Sequence, residues 1–169
     1  MLELLAEYES QIGALIESLP NAKRYDRGWI GDRIIFDDLV TERVHTKING
    51  VIIQLDKSLP ARLNPKHRHY HYGPTAVKVV SGFSVMERGS GNLDEISQVI
   101  ELVPGLSYEM THRNDWHNIA PSTELYSIVV MGEEWKPAPR NILEGLRVER
   151  LTEAELETLK GYFREGRII

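Results

Sequence analysis

Apolar residues recur at two different periods along this chain, and the change of period divides it into three zones. In the first twenty residues Leu5, Tyr8, Ile12, Leu15, Ile16 and Leu19 follow one another at spacings of three and four, and Pro20 comes next. That is the stripe of an amphipathic helix over residues 1–20, with an apolar face to lay on a barrel or on a partner subunit. From about residue 33 to residue 132 the pattern changes to short runs rich in β-branched residues, at 33–36, 51–55, 77–80, 96–102 and 125–130. Turn residues separate them, among them Asn49 with Gly50, Gly73 with Pro74, Ser81 with Gly82, and Pro104 with Gly105. Many short strands at such spacing predict an all-β sandwich or barrel.

The third zone is helical again. Thr152 and Glu155 stand three apart, as in a capping box. Leu156, Leu159 and Phe163 then form a narrow apolar face, and Gly166 lies just past the expected end of a helix over 151–165. A proline-stiffened connector, residues 135–140, joins this helix to the β zone. There is no internal repeat and no low-complexity segment. The expected organisation is one domain over 1–169, a β-barrel core between two helical flanks.

Composition narrows the chemistry. With 169 residues, 41% of them hydrophobic and 27% charged, the chain has the makeup of an ordinary globular domain. A formal net charge of -5 disfavours nucleic acid or an anionic membrane as an obligate partner. There is no cysteine, so disulfides, thiolate metal sites and a cysteine nucleophile are excluded, and any metal must be held by nitrogen and oxygen. No apolar stretch approaches the length of a membrane span, and the acidic start lacks the basic opening of a signal peptide. A cytoplasmic location is the default expectation.

Candidate chemistry comes from the six histidines. His67, His69 and His71 alternate, so on one strand all three would point to one face. If that face lines the barrel interior, three imidazoles converge, and neutral imidazole is a good ligand for iron, zinc, nickel or copper. A site on a barrel also needs a ligand from a distant strand, and His117 stands at a turn-to-strand junction further along. The expected metal ligands are His117 and two of His67, His69 and His71, with His69 in either pair. His45 is isolated and expected to have no special role.

These residues resemble the cupin superfamily. The resemblance covers about residues 51–132. Its first motif is matched by His69, Tyr70 and His71, with Thr75 where the family usually has a glutamate ligand and Gly82 at the closing glycine, which implies His69, His71 and His117 as the metal ligands and His67 as a supporting or substitute ligand. Its second motif is matched by Gly105, the strand from Tyr108 to His112, the turn at Asn114 and Asp115, and His117, one residue longer than usual. The resemblance implies a cupin double-stranded β-helix, a jelly-roll-like barrel, with flanking N- and C-terminal helices, and a homodimer. A three-histidine site without a carboxylate is similar to the thiol dioxygenase branch, which implies a non-haem iron dioxygenase acting on a small molecule such as a thiol acid.

Fe(II) is the favoured cofactor on that reading, and Zn, Ni, Mn and Cu remain compatible with three imidazoles. Tyr126, on the strand after His117, is expected as a proton or hydrogen-bond donor, and His112 as a general base. Trp116, Tyr70 and Tyr72 should face away from the pocket by strand alternation. One of Arg43, Lys47 and Arg62 would meet a substrate carboxylate if any does. Two alternatives stay open: an isomerase or epimerase on a sugar or keto acid, in whose metal-free form His71 and Tyr126 would be base and acid, and a non-catalytic ligand-binding module.

Overall fold

The computed structural model describes residues 1–141 and 144–164. Two short helices, α1 (Leu2–Glu9) and α2 (Ile12–Ser18), open the chain. The apolar stripe predicts a single helix over 1–20, but the structure breaks it at Ser10. There the Ser10 hydroxyl donates to the Glu7 carbonyl at 2.6 Å, a side-chain bond that competes with helix continuation. The stripe survives the break, because Leu5, Tyr8, Ile12 and Ile16 are all buried.

The strands follow in chain order as β1 (Ile30–Phe36), β2 (Leu39–Ile48), β3 (Val51–Ser58), β4 (His69–Tyr70), β5 (Thr75–Ser81) and β6 (Ser84–Ser90). After them come β7 (Gln98–Leu102), β8 (Ser107–Met110), β9 (Asp115–Pro121), β10 (Leu125–Met131) and β11 (Arg147–Arg150), and then the helix α3 (Glu153–Arg164). The β zone therefore begins at Ile30 rather than residue 33, and a further strand, β11, lies beyond residue 132. Asn49 and Gly50 form the two-residue link between β2 and β3, with φ of 50° and 79°, the backbone that such a tight hairpin requires.

All strand pairs are antiparallel and fall into two sheets. One has the order β11-β1-β2-β3-β10-β5-β8, the other β4-β9-β6-β7. Within these, β3-β10-β5-β8 packed on β4-β9-β6-β7 is an eight-stranded jelly roll, and β2, β1 and β11 extend the first sheet at one edge. The larger sheet uses both faces. Its outer face, with Val44, Ile53, Leu55, Ala76, Ile128 and Val130, packs under the helices. From α3 it receives Leu156, Leu159 and Phe163. Each such fully buried side chain contributes roughly 2 kcal/mol, enough to seat a short helix that would not form alone. The capping box holds α3 at its start: the Thr152 N–H donates to Glu155 Oε2 at 2.8 Å and the Glu155 N–H to Thr152 Oγ1 at 3.2 Å. The expected stop at Gly166 lies outside the described residues. The inner face of the same sheet looks onto the smaller sheet, and between them lies a cavity of about 290 Å³. Among the described residues no helix is long and apolar enough to cross a membrane.

Candidate metal centre

The segment before β4 is not a strand. Asn64 accepts a hydrogen bond from the Lys66 N–H at 3.0 Å and starts a single 3₁₀ turn over Pro65–His67. The expected alternation of His67, His69 and His71 along one strand therefore fails, since only His69 lies in β4 and His71 follows its end. His67 sits apart from the other two. It is 1% exposed, packs on Phe36 with ring centroids 4.6 Å apart, and its nearest acid is Asp37 at 3.7 Å. Neither of its ring nitrogens is hydrogen-bonded among the described residues.

His69 and His71 still meet His117, because β4 pairs with β9 and places His69 directly opposite His117. Asn141 secures this short edge strand. Its side chain accepts from the Tyr70 N–H at 2.7 Å and donates to the Tyr70 carbonyl at 2.9 Å, as a neighbouring strand would. The three imidazoles converge through their Nε2 atoms. His117 Nε2 lies 2.9 Å from His71 Nε2 and 3.1 Å from His69 Nε2.

The partners of the other ring nitrogens decide what those Nε2 atoms are. His69 Nδ1 is 2.8 Å from the His67 carbonyl, which can only accept, so Nδ1 carries the proton. His71 Nδ1 is 3.1 Å from Thr75 Oγ1, and that hydroxyl already donates to the Gly73 carbonyl at 2.9 Å, so His71 donates there too. Both Nε2 atoms are therefore bare lone pairs facing each other's neighbour across a buried gap. Burial pushes His69 below the ordinary histidine value, and it pushes His71 and His117 well below, helped by the neighbouring imidazoles. Lone pairs that converge in this way call for a proton on His117 Nε2 or a cation between the rings. With metal–nitrogen bonds of about 2.1 Å, nitrogens at right angles around an ion stand about 3.0 Å apart, close to the observed spacings. The donor set fits a divalent cation, and among the described residues the cluster holds three histidines and no carboxylate.

The eight-stranded jelly roll carries these histidines inside, from the β4 edge and from β9. This is a cupin fold. Solved structures with a similar backbone include a cupin superfamily protein from Desulfitobacterium hafniense, at 15% identity over 59% of this chain and 82% of that one, with a TM-score of 0.43. Hydroxypropylphosphonic acid epoxidase from S. wedmorenis is similar at 16% identity over 59% of this chain and 55% of the epoxidase, with a TM-score of 0.44. Streptomyces albus HEPD, with 2-hydroxyethylphosphonate and Fe(II) bound, is similar at 10% identity over 56% of this chain and 21% of that one, with a TM-score of 0.47. Neither a family model nor a curated protein matches the sequence.

Two expected catalytic residues lie elsewhere in this fold. Tyr126 alternates with Leu125 and Ser127, which face the cavity, so it points outward instead. Its ring stacks edge-on against Tyr162 at 5.1 Å under α3, and its hydroxyl donates to Glu124 at 3.1 Å. His112 is exposed in the bend before β9, away from the cavity. Trp116 is buried outside the pocket, donating to the Asn92 carbonyl at 3.1 Å beneath the Arg68 guanidinium. Contrary to expectation, Tyr70 and Tyr72 both border the cavity, Tyr70 with its hydroxyl turned to the Gly91 carbonyl at 2.7 Å and Tyr72 half-exposed. His45 is bonded to Asp32 at 3.1 Å and stacked on Tyr25. Of the three basic residues, Arg43 alone lines the cavity, and it is already paired with Asp56.

Tyr108 has a role that sequence reasoning missed. It faces inward from β8, and its hydroxyl is 3.3 Å from His117 Nδ1. Burial raises its pKa above the ordinary tyrosine value, so it stays a phenol. When His117 Nε2 ligates a cation, Nδ1 carries the proton and donates to this hydroxyl oxygen. Replacing Tyr108 with phenylalanine removes that acceptor while keeping the packed ring. The expected outcome is a metal affinity lower by about tenfold to a hundredfold with little change in melting temperature, read by competition against a chelator.

Proposed function

We propose that this cupin is a metal-dependent enzyme, a dioxygenase that oxidises a small thiol at an Fe(II) ion held by His69, His71 and His117. The observation that carries this reading is the meeting of three neutral imidazoles through Nε2, without a carboxylate, on the wall of the cavity between the sheets. When bound, such an ion supplies a redox-active Lewis acid with open positions for a thiolate and dioxygen.

The chain's own residues do the rest. The His67 carbonyl and Thr75 fix the tautomers of His69 and His71, and Tyr108 answers His117. Thr75, at the position of the usual glutamate, thus serves the site by orienting a ligand. Apolar side chains such as Val77, Val79, Leu125 and Val129 line the cavity and exclude water from the reacting groups. A volume of about 290 Å³ suits a molecule of few heavy atoms. The metal-free isomerase alternative loses support, because Tyr126 is outside the cavity and cannot act as the acid to His71.

The test is elemental analysis of protein purified without an affinity tag, together with oxygen uptake on cysteine, cysteamine and 3-mercaptopropionate. Bound iron and uptake with at least one of these thiols are the expected results. Absence of iron, or no uptake with any of the three, would sink the reading.

A further inference from the structure

The three histidines of the cluster differ in what holds their backbones. His69 and His117 face each other across the pairing of β4 with β9, but that pairing ends at Tyr70 and Trp116. His71 lies beyond it, with no partner on β9 among the described residues. Outside the cluster its ring meets Thr75 Oγ1, at 3.1 Å. A segment past the end of a ladder opens more readily than one within it, so His71 needs support from elsewhere to keep its place.

The chain that follows β10, residues 132–141, supplies that support. Tyr70 and Tyr72 stand on either side of His71, and both are tied to it. At Tyr70 the Asn141 side chain takes both backbone groups, accepting from the N–H at 2.7 Å and donating to the carbonyl at 2.9 Å. At Tyr72 the carbonyl accepts from the Trp135 N–H at 2.9 Å. One residue on, a Cβ at Gly73 would stand 2.9 Å from the carbonyl oxygens of Gly132 and Glu133, so only glycine lets the two segments pass so closely. The Gly132 N–H then donates to the Pro74 carbonyl at 2.9 Å. The same connector is fastened to the bend before β9, where Arg113 Nε donates to the Pro137 carbonyl at 2.7 Å.

Asn141 is the part of this support that depends on side-chain identity, since the ties at Tyr72 and Pro74 join backbone to backbone. A carboxamide offers one acceptor and one donor side by side, as a peptide group does. Without it two backbone groups on the edge of the ligand-bearing strand lose their partners. We propose that Asn141 is a positioning residue of the metal centre: by standing in for a strand beside β4 it holds His71, and with it His69, at the spacing from His117 that a cation needs. This rests on the three histidines being metal ligands and is independent of the reaction at the metal.

The test sets Asn141→Ala against Asn21→Ala. Asn21 makes the same two kinds of bond away from the cluster, donating to Glu157 at 2.7 Å and accepting from Lys160 at 2.8 Å. Zinc affinity is measured by competition with a chelator, and melting temperature reports the structural cost of each change. Asn141→Ala is expected to weaken zinc binding by about tenfold to a hundredfold, the range for a group that orients a ligand. Asn21→Ala should leave zinc affinity unchanged even where it lowers the melting temperature. Asn141→Leu, which keeps the volume, should lose as much as Asn141→Ala, and Asn141→Gln, which keeps the carboxamide, should recover part of the loss. In metal-free protein the ring resonances of His71 should shift or broaden in Asn141→Ala and stay in place in Asn21→Ala. Unchanged zinc affinity in Asn141→Ala, or an equal loss in Asn21→Ala, would overturn the assignment. Wild-type protein that takes up no zinc would remove the metal reading. The positioning role then rests on the His71 resonances, and it fails if Asn141→Ala leaves them unmoved.

Discussion

Protein carrying His117→Ala is expected to fold and to retain no metal. His117 is the imidazole that faces both of the others, at 2.9 Å from His71 and 3.1 Å from His69. Without it two nitrogens remain, on adjoining sides of a site that has no carboxylate to substitute. Loss of a directly bound ligand should exceed the effect of losing a supporting partner, so affinity should fall by more than about a hundredfold. The fold should survive, because the lost imidazole opens space onto an existing cavity and leaves the Tyr108 hydroxyl and the His69 and His71 Nε2 atoms facing it, where water can answer them. The substitution also removes one of three buried rings that disfavour one another's protonation. His45→Ala is the matched control. That ring is bonded to Asp32 and lies outside the cluster, so its loss should leave metal content unchanged. Metal content of both variants by elemental analysis, alongside their melting curves, decides the matter. Stoichiometric metal in the first variant, or its loss in the second, would refute the assignment.

The sequence exposed those elements whose buried faces are apolar and concealed those whose buried faces are polar. The helical stripes at both ends and the apolar runs of β3, β5 and β10 pack into the cores. β2 and β6 escaped notice for one reason. β2 turns Thr41 and Arg43 toward the cavity, and β6 buries Glu87 against Arg68 at 3.1 Å, so neither shows apolar alternation. The histidines were legible by residue type, but their geometry was not. Asn64 and Pro65 bend the chain into a turn, and His69 and His71 meet His117 through the pairing of β4 with β9.

Tyr126 was misplaced because β10 is buried on both faces from Leu125 to Val130, and a two-residue period cannot say which side is inward. Ser127 was the usable signal, a polar residue in that run that lies on the cavity side. Tyr108 could be linked to His117 only through the strand pairing that brings β8 beside β5, which no spacing in the sequence encodes.

Gly82, at the position of the closing glycine of the first motif, should be far costlier to replace than Gly50. Both have left-handed backbone, φ 89° and 79°. They differ in what surrounds them. A Cβ at Gly50 would meet nothing within 4 Å, whereas a Cβ at Gly82 would lie 2.0 Å from the Glu124 carbonyl oxygen and 2.9 Å from its carbon. Those are backbone atoms at the entry to β10, and they cannot rotate away as a side chain would. Gly50→Ala should therefore lose about 1 kcal/mol, the strain of an L-residue in that conformation. Gly82→Ala adds the displacement of a strand paired on both sides, by β3 and β5, and should lose about 3 kcal/mol or more. For a chain of this length that corresponds to a fall in melting temperature of roughly 10 °C, against a few degrees for Gly50→Ala. Thermal unfolding of the two variants separates backbone strain from steric exclusion. Equal losses would mean that the left-handed conformation alone, and not the close approach of β10, keeps glycine at the head of β6.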